Sequence, residues 1–324
     1  MPITTGAFVK NLIAPGFMGY APTEAQIRES LAWSRLPVVN VNKPSGSLLL
    51  ETRASLQRSA NEHALVPPSG RPSATEWKFT TDTFTTQEYG LEYVITKHER
   101  QNAQGIYDPD ARAAKMLMLK VMRAVEMRFV TLAFATSVWT ATGSDAALGA
   151  SVQWNSTGGG DPKGKVRDAK VAIQGVLDFE PRYVVFSNKD VKTVLEYHAA
   201  FTDVVGILNG QRQTPADLPA IAAGLNVDDY GVSGLVKVTT NEGAATTTTA
   251  NVVPDGFLVL ALTAGNPFED LGPSAACVLV NEPLKTVSFP DPYADGATVV
   301  QARVDLLIKV LDAKLGYFID DTLA

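Results

Sequence analysis

The sequence predicts an α+β fold, and three observations carry that expectation. Two runs of period-2 alternation fall between residues 77 and 95, a long helical periodicity follows Asp108-Pro109-Asp110, and helices alternate with short apolar strands beyond residue 163. At 324 residues the chain is long enough for one large domain or two to three small ones.

Residues 1–40 mix Pro, Gly and short apolar pieces such as Leu12-Ile13-Ala14-Pro15-Gly16-Phe17-Met18, with one helix start at Thr23. So little periodic apolar surface cannot offset the entropy of ordering, and such an arm needs a partner to lie on. Between 41 and 96, a polar stretch and the breakers Pro67-Pro68-Ser69-Gly70-Arg71-Pro72 precede the alternating runs. Trp77, Phe79 and Thr81 share one face, and Tyr89, Leu91, Tyr93 and Ile95 repeat the pattern, which reads as a hairpin closed by a polar turn. A lone two-stranded hairpin is marginal in water, so this one implies support from the rest of the fold or from a neighbouring subunit.

Asp108-Pro109-Asp110 supplies an N-cap, a proline at the first helical position and an acid at the positive helix end. The helix expected over 108–139 would be a spine about 45 Å long. Ala113, Met116, Leu117, Lys120, Val121, Ala124, Val125, Arg128, Phe129 and Leu132 fall on its i, i+3, i+4 spacing, and its methionines read as core. A polar, Gly-rich stretch over 140–163 marks a boundary. The α/β unit beyond it reads as a helix over 166–179, a strand at 183–186, a Ser187-Asn188-Lys189-Asp190 cap into a helix through Tyr197, and a helix over 218–225. Strands are expected at 234–239, 256–262 and 276–280, and the alternation of Val300, Ala302, Val304, Leu306 and Ile308 predicts strands returning to the body over 297–318.

Composition limits the function. A formal net charge of −6 argues against a protein that grips nucleic acid through a basic surface, and 45% hydrophobic with 19% charged residues describes globular material. The N-terminal residues lack the charged and apolar regions of a secretory signal, and the longest apolar run, 257–262, is far shorter than the roughly 20 residues of a membrane span. A soluble protein assembled in a cytoplasm is therefore expected. Cys277, the single cysteine, sits in an apolar run and reads as a buried, inert thiol.

Chemistry-bearing residues do not converge. His63, His98 and His198 have no partner at metal-ligand spacing, and the Gly158-Gly159-Gly160 stretch lacks the preceding strand and the Gly-Lys-Ser/Thr ending of a phosphate loop. The pairs Asp228-Asp229 and Asp320-Asp321 read as solvated loop acids, Ser187 fits a helix cap, and no nucleophile elbow is present. No catalytic residue, cofactor or metal is expected.

The order of arm, hairpin, spine helix, α/β unit and returning strands resembles the Hong Kong 97-type fold of tailed-bacteriophage major capsid proteins. Local motifs extend the likeness over about residues 30–324. Trp154, a polar spacer, Asp161-Pro162 and the helix after it look like the family's pattern, and Glu180-Pro181-Arg182-Tyr183-Val184-Val185-Phe186 stands where the family has a Pro-led strand. Val194-Leu195-Glu196-Tyr197-His198, then 218–225 with 232–238, and finally Lys314-Leu315-Gly316-Tyr317-Phe318-Ile319 are similar to its later elements. Two departures stand out. Arg182 replaces a common Asn, and only about 40 residues precede the hairpin, so scaffolding falls to a separate protein or to a segment removed or never present.

The resemblance implies a capsid subunit with an N-terminal arm (1–40), an extended hairpin loop (41–96), a peripheral domain (97–163), an α/β axial domain (164–288) and returning peripheral strands (289–324). Its partners would be copies of itself in hexamers and pentamers, with scaffold, portal and decoration proteins, around double-stranded DNA held without a basic surface. Its location would be the virion, after assembly in the host bacterial cytoplasm. Function would then lie in interfaces. Trp77, Phe79, Tyr89 and Tyr93 would anchor the loop on a neighbour, while Arg53, Arg58 and Glu62 would set geometry at its tip. The competing expectation is that these aromatics pack the hairpin onto its own spine helix. An encapsulin-like compartment shell, which shares the fold, and a soluble α/β enzyme are the alternatives to a phage shell.

Overall fold

The computed structural model describes residues 30–51, 70–71, 79–103, 107–144, 146–155, 160–177, 180–201, 216–239, 249–268, 272–294 and 296–323. The spine helix is its longest helix. It spans Pro109–Ala133, and the Asp108 carboxylate accepts from the Asp110 and Ala111 amides at 3.0 and 3.3 Å. It ends six residues earlier than expected because the Trp139 indole donates to the Ala133 carbonyl at 2.7 Å, closing off the last turn. At 25 residues it is about 37 Å long.

Its buried stripe is rotated from the one expected. Ala113, Leu117, Val121, Val125 and Phe129 are buried as predicted, but Lys120 and Arg128 are exposed, and Ala114, Met118, Met122 and Val130 complete the stripe. This stripe lies on a four-stranded sheet of order β1-β11-β12-β4, formed by Val38–Asn40, Ala276–Pro290, Thr298–Val310 and Gln87–Ile95. β11 runs through the expected boundary at 288. Its first five residues are buried beside the α/β unit and its later ones alternate, so one strand joins both halves of the molecule.

The second sheet has the order β5-β13-β10-β6-β7, formed by Ala146–Ala147, Gly316–Asp320, Phe257–Ala261, Tyr183–Asn188 and Asp229–Ser233. β6 and β10 are buried at every residue, as expected of strands covered on both faces. Helices Pro162–Gln174, Lys189–Tyr197 and Leu218–Leu225 pack against this sheet, capped by Asp161, Asn188 and Asp217. The first of them starts four residues before its predicted start and stops at Gly175. One buried apolar cluster runs through both sheets, so the halves share a core.

Two strand pairings differ from the sequence expectation. β3 (Phe79–Thr85) and β4 do not pair with each other. β3 pairs antiparallel with β2 (Ser45–Glu51), while β4 pairs with β12, because Thr86 turns the chain from one ribbon into another sheet. The closing strand β13 does not return to the sheet under the spine. A 3-10 turn at Ala313–Leu315 redirects it to pair with β10. Gly316 is required there, because a Cβ would collide with the Trp139 ring. Period-2 alternation reports which face of a strand is buried, not which strand lies beside it. The strand expected at 234–239 is present as β8 (Val236–Val238), shorter than expected and paired with β9 (Thr249–Asn251), and the sheet strand β7, which ends at Ser233, precedes it.

Candidate assembly interface

The β2–β3 ribbon is poorly covered by the rest of the chain, most of its described residues being exposed. Its base is fixed: Phe84 is buried with Val39, Cys277 and Leu279, Lys309 forms an ion pair with Asp82 at 2.7 Å, and the Thr86 amide donates to the Pro44 carbonyl. Gly46 sits against the Phe84 ring, where a Cβ would come within 3.0 Å. Beyond that base the cover ends, and Leu49 is 61% exposed. Two strands without a packed face are unstable in water unless something is laid against them.

The residues expected to form the interface are distributed unevenly. Arg53, Arg58, Glu62 and Trp77 lie outside the described residues, as does His63. Phe79 opens β3, opposite Glu51. Tyr89 and Tyr93 lie on β4, opposite Val304 and Val300. Tyr89 is half-buried, its ring 4.5 Å from the Arg128 guanidinium of the chain's own spine helix and its hydroxyl donating to Gln87 at 2.8 Å. Tyr93 is more open, and its hydroxyl donates to Glu99 at 2.9 Å. That bond, with lesser contributions from burial and the carboxylate charge, pushes its phenol above the ordinary value.

A second feature has no counterpart among the residues singled out in the sequence. Glu126 lies on the spine helix in one row with Met118, Met122 and Val130, and is fully buried. Its oxygens accept from the Ser30 hydroxyl at 2.7 Å and from the Leu31 and Ala32 amides at 2.8 and 3.0 Å. It thus caps, from about 95 residues away, the short helix Leu31–Arg35. The same helix reaches the α/β unit through Arg35, 3.3 Å from Asp229. Burial pushes the Glu126 carboxyl up, against the opposing effect of its three hydrogen bonds and of Arg35. The signal was one carboxylate in an apolar row; its partners are fixed only by tertiary structure.

The polar residues of the α/β unit that the sequence singles out are engaged within the fold. The Ser187 hydroxyl is fully buried, 2.7 Å from the Tyr230 hydroxyl, and the cap of the following helix is Asn188, which accepts from Val191 and donates to Asp255. Asp228 and Asp229 are not free loop acids: one accepts from the Tyr183 amide at 2.8 Å and the other faces Arg35 and Arg182. Arg182 therefore serves as a brace in the position where the capsid pattern commonly has Asn. Burial raises the Cys277 thiol to about 12. Among the described residues no group of His, Cys, Asp or Glu is arranged to hold a metal, and no helix is long and apolar enough to cross a membrane.

No protein-family model matches the chain, and no curated protein does. Solved structures do. A phage-related protein from Bordetella bronchiseptica RB50 aligns with a TM-score of 0.68 at 16% identity, over 93% of this chain and 94% of that one. The capsid of cyanophage P-SCSP1u aligns at 0.56 and 12% identity, covering 96% and 93%, and the capsid of an empty GTA particle at 0.52 and 14%, covering 97% and 95%. The chain therefore shares its fold with the phage-related protein and with the subunits of these two capsids. This is the Hong Kong 97-type architecture that the sequence resemblance implied.

Proposed function

We propose that the chain is the major capsid protein of a tailed bacteriophage. Copies assemble through pentamers and hexamers into an icosahedral head around double-stranded DNA, with no catalytic step. The β2–β3 ribbon carries this reading: in a chain with a capsid-subunit fold, an element that cannot cover its own outer half is a surface made for other copies. The α/β unit clusters around the five-fold and six-fold axes, and the extended loop and arm lie over neighbouring subunits. Phe79 and Trp77 anchor the loop on a neighbour, Arg53, Arg58 and Glu62 orient it, and Tyr93, on β4 outside the ribbon, offers a neighbour a contact on the body of the subunit. Tyr89 contributes more to its own spine helix, given its contact with Arg128. Scaffold, portal and decoration proteins are the further partners, assembly occurs in the host bacterial cytoplasm, and the virion is the final location. Electron microscopy of the purified full chain is expected to show rings or closed shells. A monomer under all conditions would overturn the reading.

A further inference from the structure

The two outer faces of the spine layer carry opposite electrostatic designs. On the sheet face turned away from the helix, charges are mixed and answer one another: Arg303 lies 3.3 Å from Glu88, Lys285 pairs with Glu282, and Gln301 donates to Glu92. On the exposed face of the spine helix every charge is positive. Arg112, Lys115, Lys120 and Arg123 are exposed, while the helix's acids are occupied elsewhere, Asp110 by Arg100 at 3.0 Å and Glu126 in the core. Among the described residues no carboxylate pairs with these four cations. At about 100° per residue they fall within an arc of about 140°, along about 16 Å of helix.

We propose that this stripe is a contact surface for the phosphate backbone of duplex DNA and that it faces the interior of the shell. The inference rests on the reading of the chain as a shell subunit. Duplex DNA carries about one negative charge per 1.7 Å of axis, so a straight stripe of this length meets phosphates at any register and needs no base sequence. A polypeptide partner is a poorer fit, because protein interfaces are anchored by a desolvated apolar centre. The exposed large apolar side chains beside the stripe stand apart at its two ends, Tyr107, whose ring lies 5.0 Å from the Arg112 guanidinium, and Met127, and they form no such centre. Four contacts per subunit hold DNA weakly. Repeated around a shell, they offset part of the charge of the contents while leaving DNA free to move during packing and release. The net charge of −6 hides this surface because it averages over the whole chain.

The test is salt-dependent binding of a short labelled DNA duplex to purified subunits of the full chain. Relative to wild type, the variant Arg112→Gln/Lys115→Gln/Lys120→Gln/Arg123→Gln is expected to bind more weakly. The slope of log K against log salt should fall by about 3 to 4, at roughly 0.9 for each phosphate no longer neutralised. Gln keeps good helix propensity, and a urea melt confirms that the variant is folded. Lys285→Gln/Arg303→Gln, on the other face, should leave the slope unchanged. An unchanged slope in the four-site variant, or binding of polyglutamate but not of duplex, overturns the inference. Shell formation is read separately by electron microscopy: no shells from wild type defeats the proposed function, whereas shells with stripe-independent DNA binding defeat only this inference. Because Cys277 is buried, Lys120→Cys supplies a single reactive thiol. In assembled shells it should react with a small maleimide and resist one coupled to a large protein; equal reaction with both places the stripe outside and overturns the inference.

Discussion

Strands β6 and β10 and strands β2 and β3 have equally regular ladders, yet they belong to opposite kinds of structure. Every residue of β6 and β10 is buried between helices, and Phe186 meets Phe129 of the spine helix edge-on at 5.7 Å. The β2–β3 ribbon holds an uninterrupted register from Ser45 opposite Thr85 to Glu51 opposite Phe79, but little of the chain covers its outer half. Backbone pairing makes a strand; burial of its faces decides whether the region stands alone. The α/β unit holds the buried core of the subunit, and in the proposed function the ribbon contributes surface for assembly.

The contrast can be broken most forcefully in the core. Phe186→Ala is expected to cost about 3–5 kcal/mol, read as a lower urea midpoint of the dissociated subunit. A loss below about 1 kcal/mol would mean that the α/β unit is not the stabilising half.

Glu126→Ala should come next, at about 3 kcal/mol, because it strands the Ser30 hydroxyl and two backbone amides in a buried site. The pH dependence of this residue has a definite sign. Burial raises the folded-state value above the unfolded one, so the folded chain binds the proton more tightly. Wild type should therefore gain stability relative to Glu126→Gln as pH falls from the folded value towards the ordinary carboxylate range. No further gain is expected below it. Parallel melts across that window are the check, and a relative gain on raising the pH would contradict the assignment.

The smallest effect on the subunit is expected in the ribbon. Leu49→Ser should change the subunit's unfolding free energy by less than about 0.5 kcal/mol, since the side chain is already exposed. It should nonetheless reduce the yield of shells by electron microscopy. A destabilised subunit that still assembles normally would reverse the roles given to the two regions.

What could be read from the sequence follows the same division between local and distant. The spine helix, its Asp108 cap, strand β6 and the helix at Leu218–Leu225 were legible because caps, prolines and periodicity act within a few residues. Partner choice was not. β3 and β4 are adjacent in sequence and alternate alike, yet Thr86 sends them to different sheets, and the 3-10 turn at Ala313–Leu315 does the same for β13. Lys120 and Arg128 fit the apolar spacing only because a stripe read from sequence has soft edges; both are exposed, Lys120 within the basic face of the helix and Arg128 against Tyr89. The Glu126 anchor joins residues almost a third of the chain apart, where no local rule reaches. For the expected interface, alternation correctly set Phe79, Tyr89 and Tyr93 on strands but put them on one hairpin, whereas they occupy two separate ladders.

The central claim, that the ribbon is a surface completed by other copies, is tested most directly by amide hydrogen exchange on the same protein before and after shell assembly. The amides of Ser45–Glu51 and Phe79–Thr85 should exchange readily in the dissociated subunit and become strongly protected in the shell, while those of Tyr183–Asn188 remain protected in both. Equal protection of the ribbon in the two states would contradict the account.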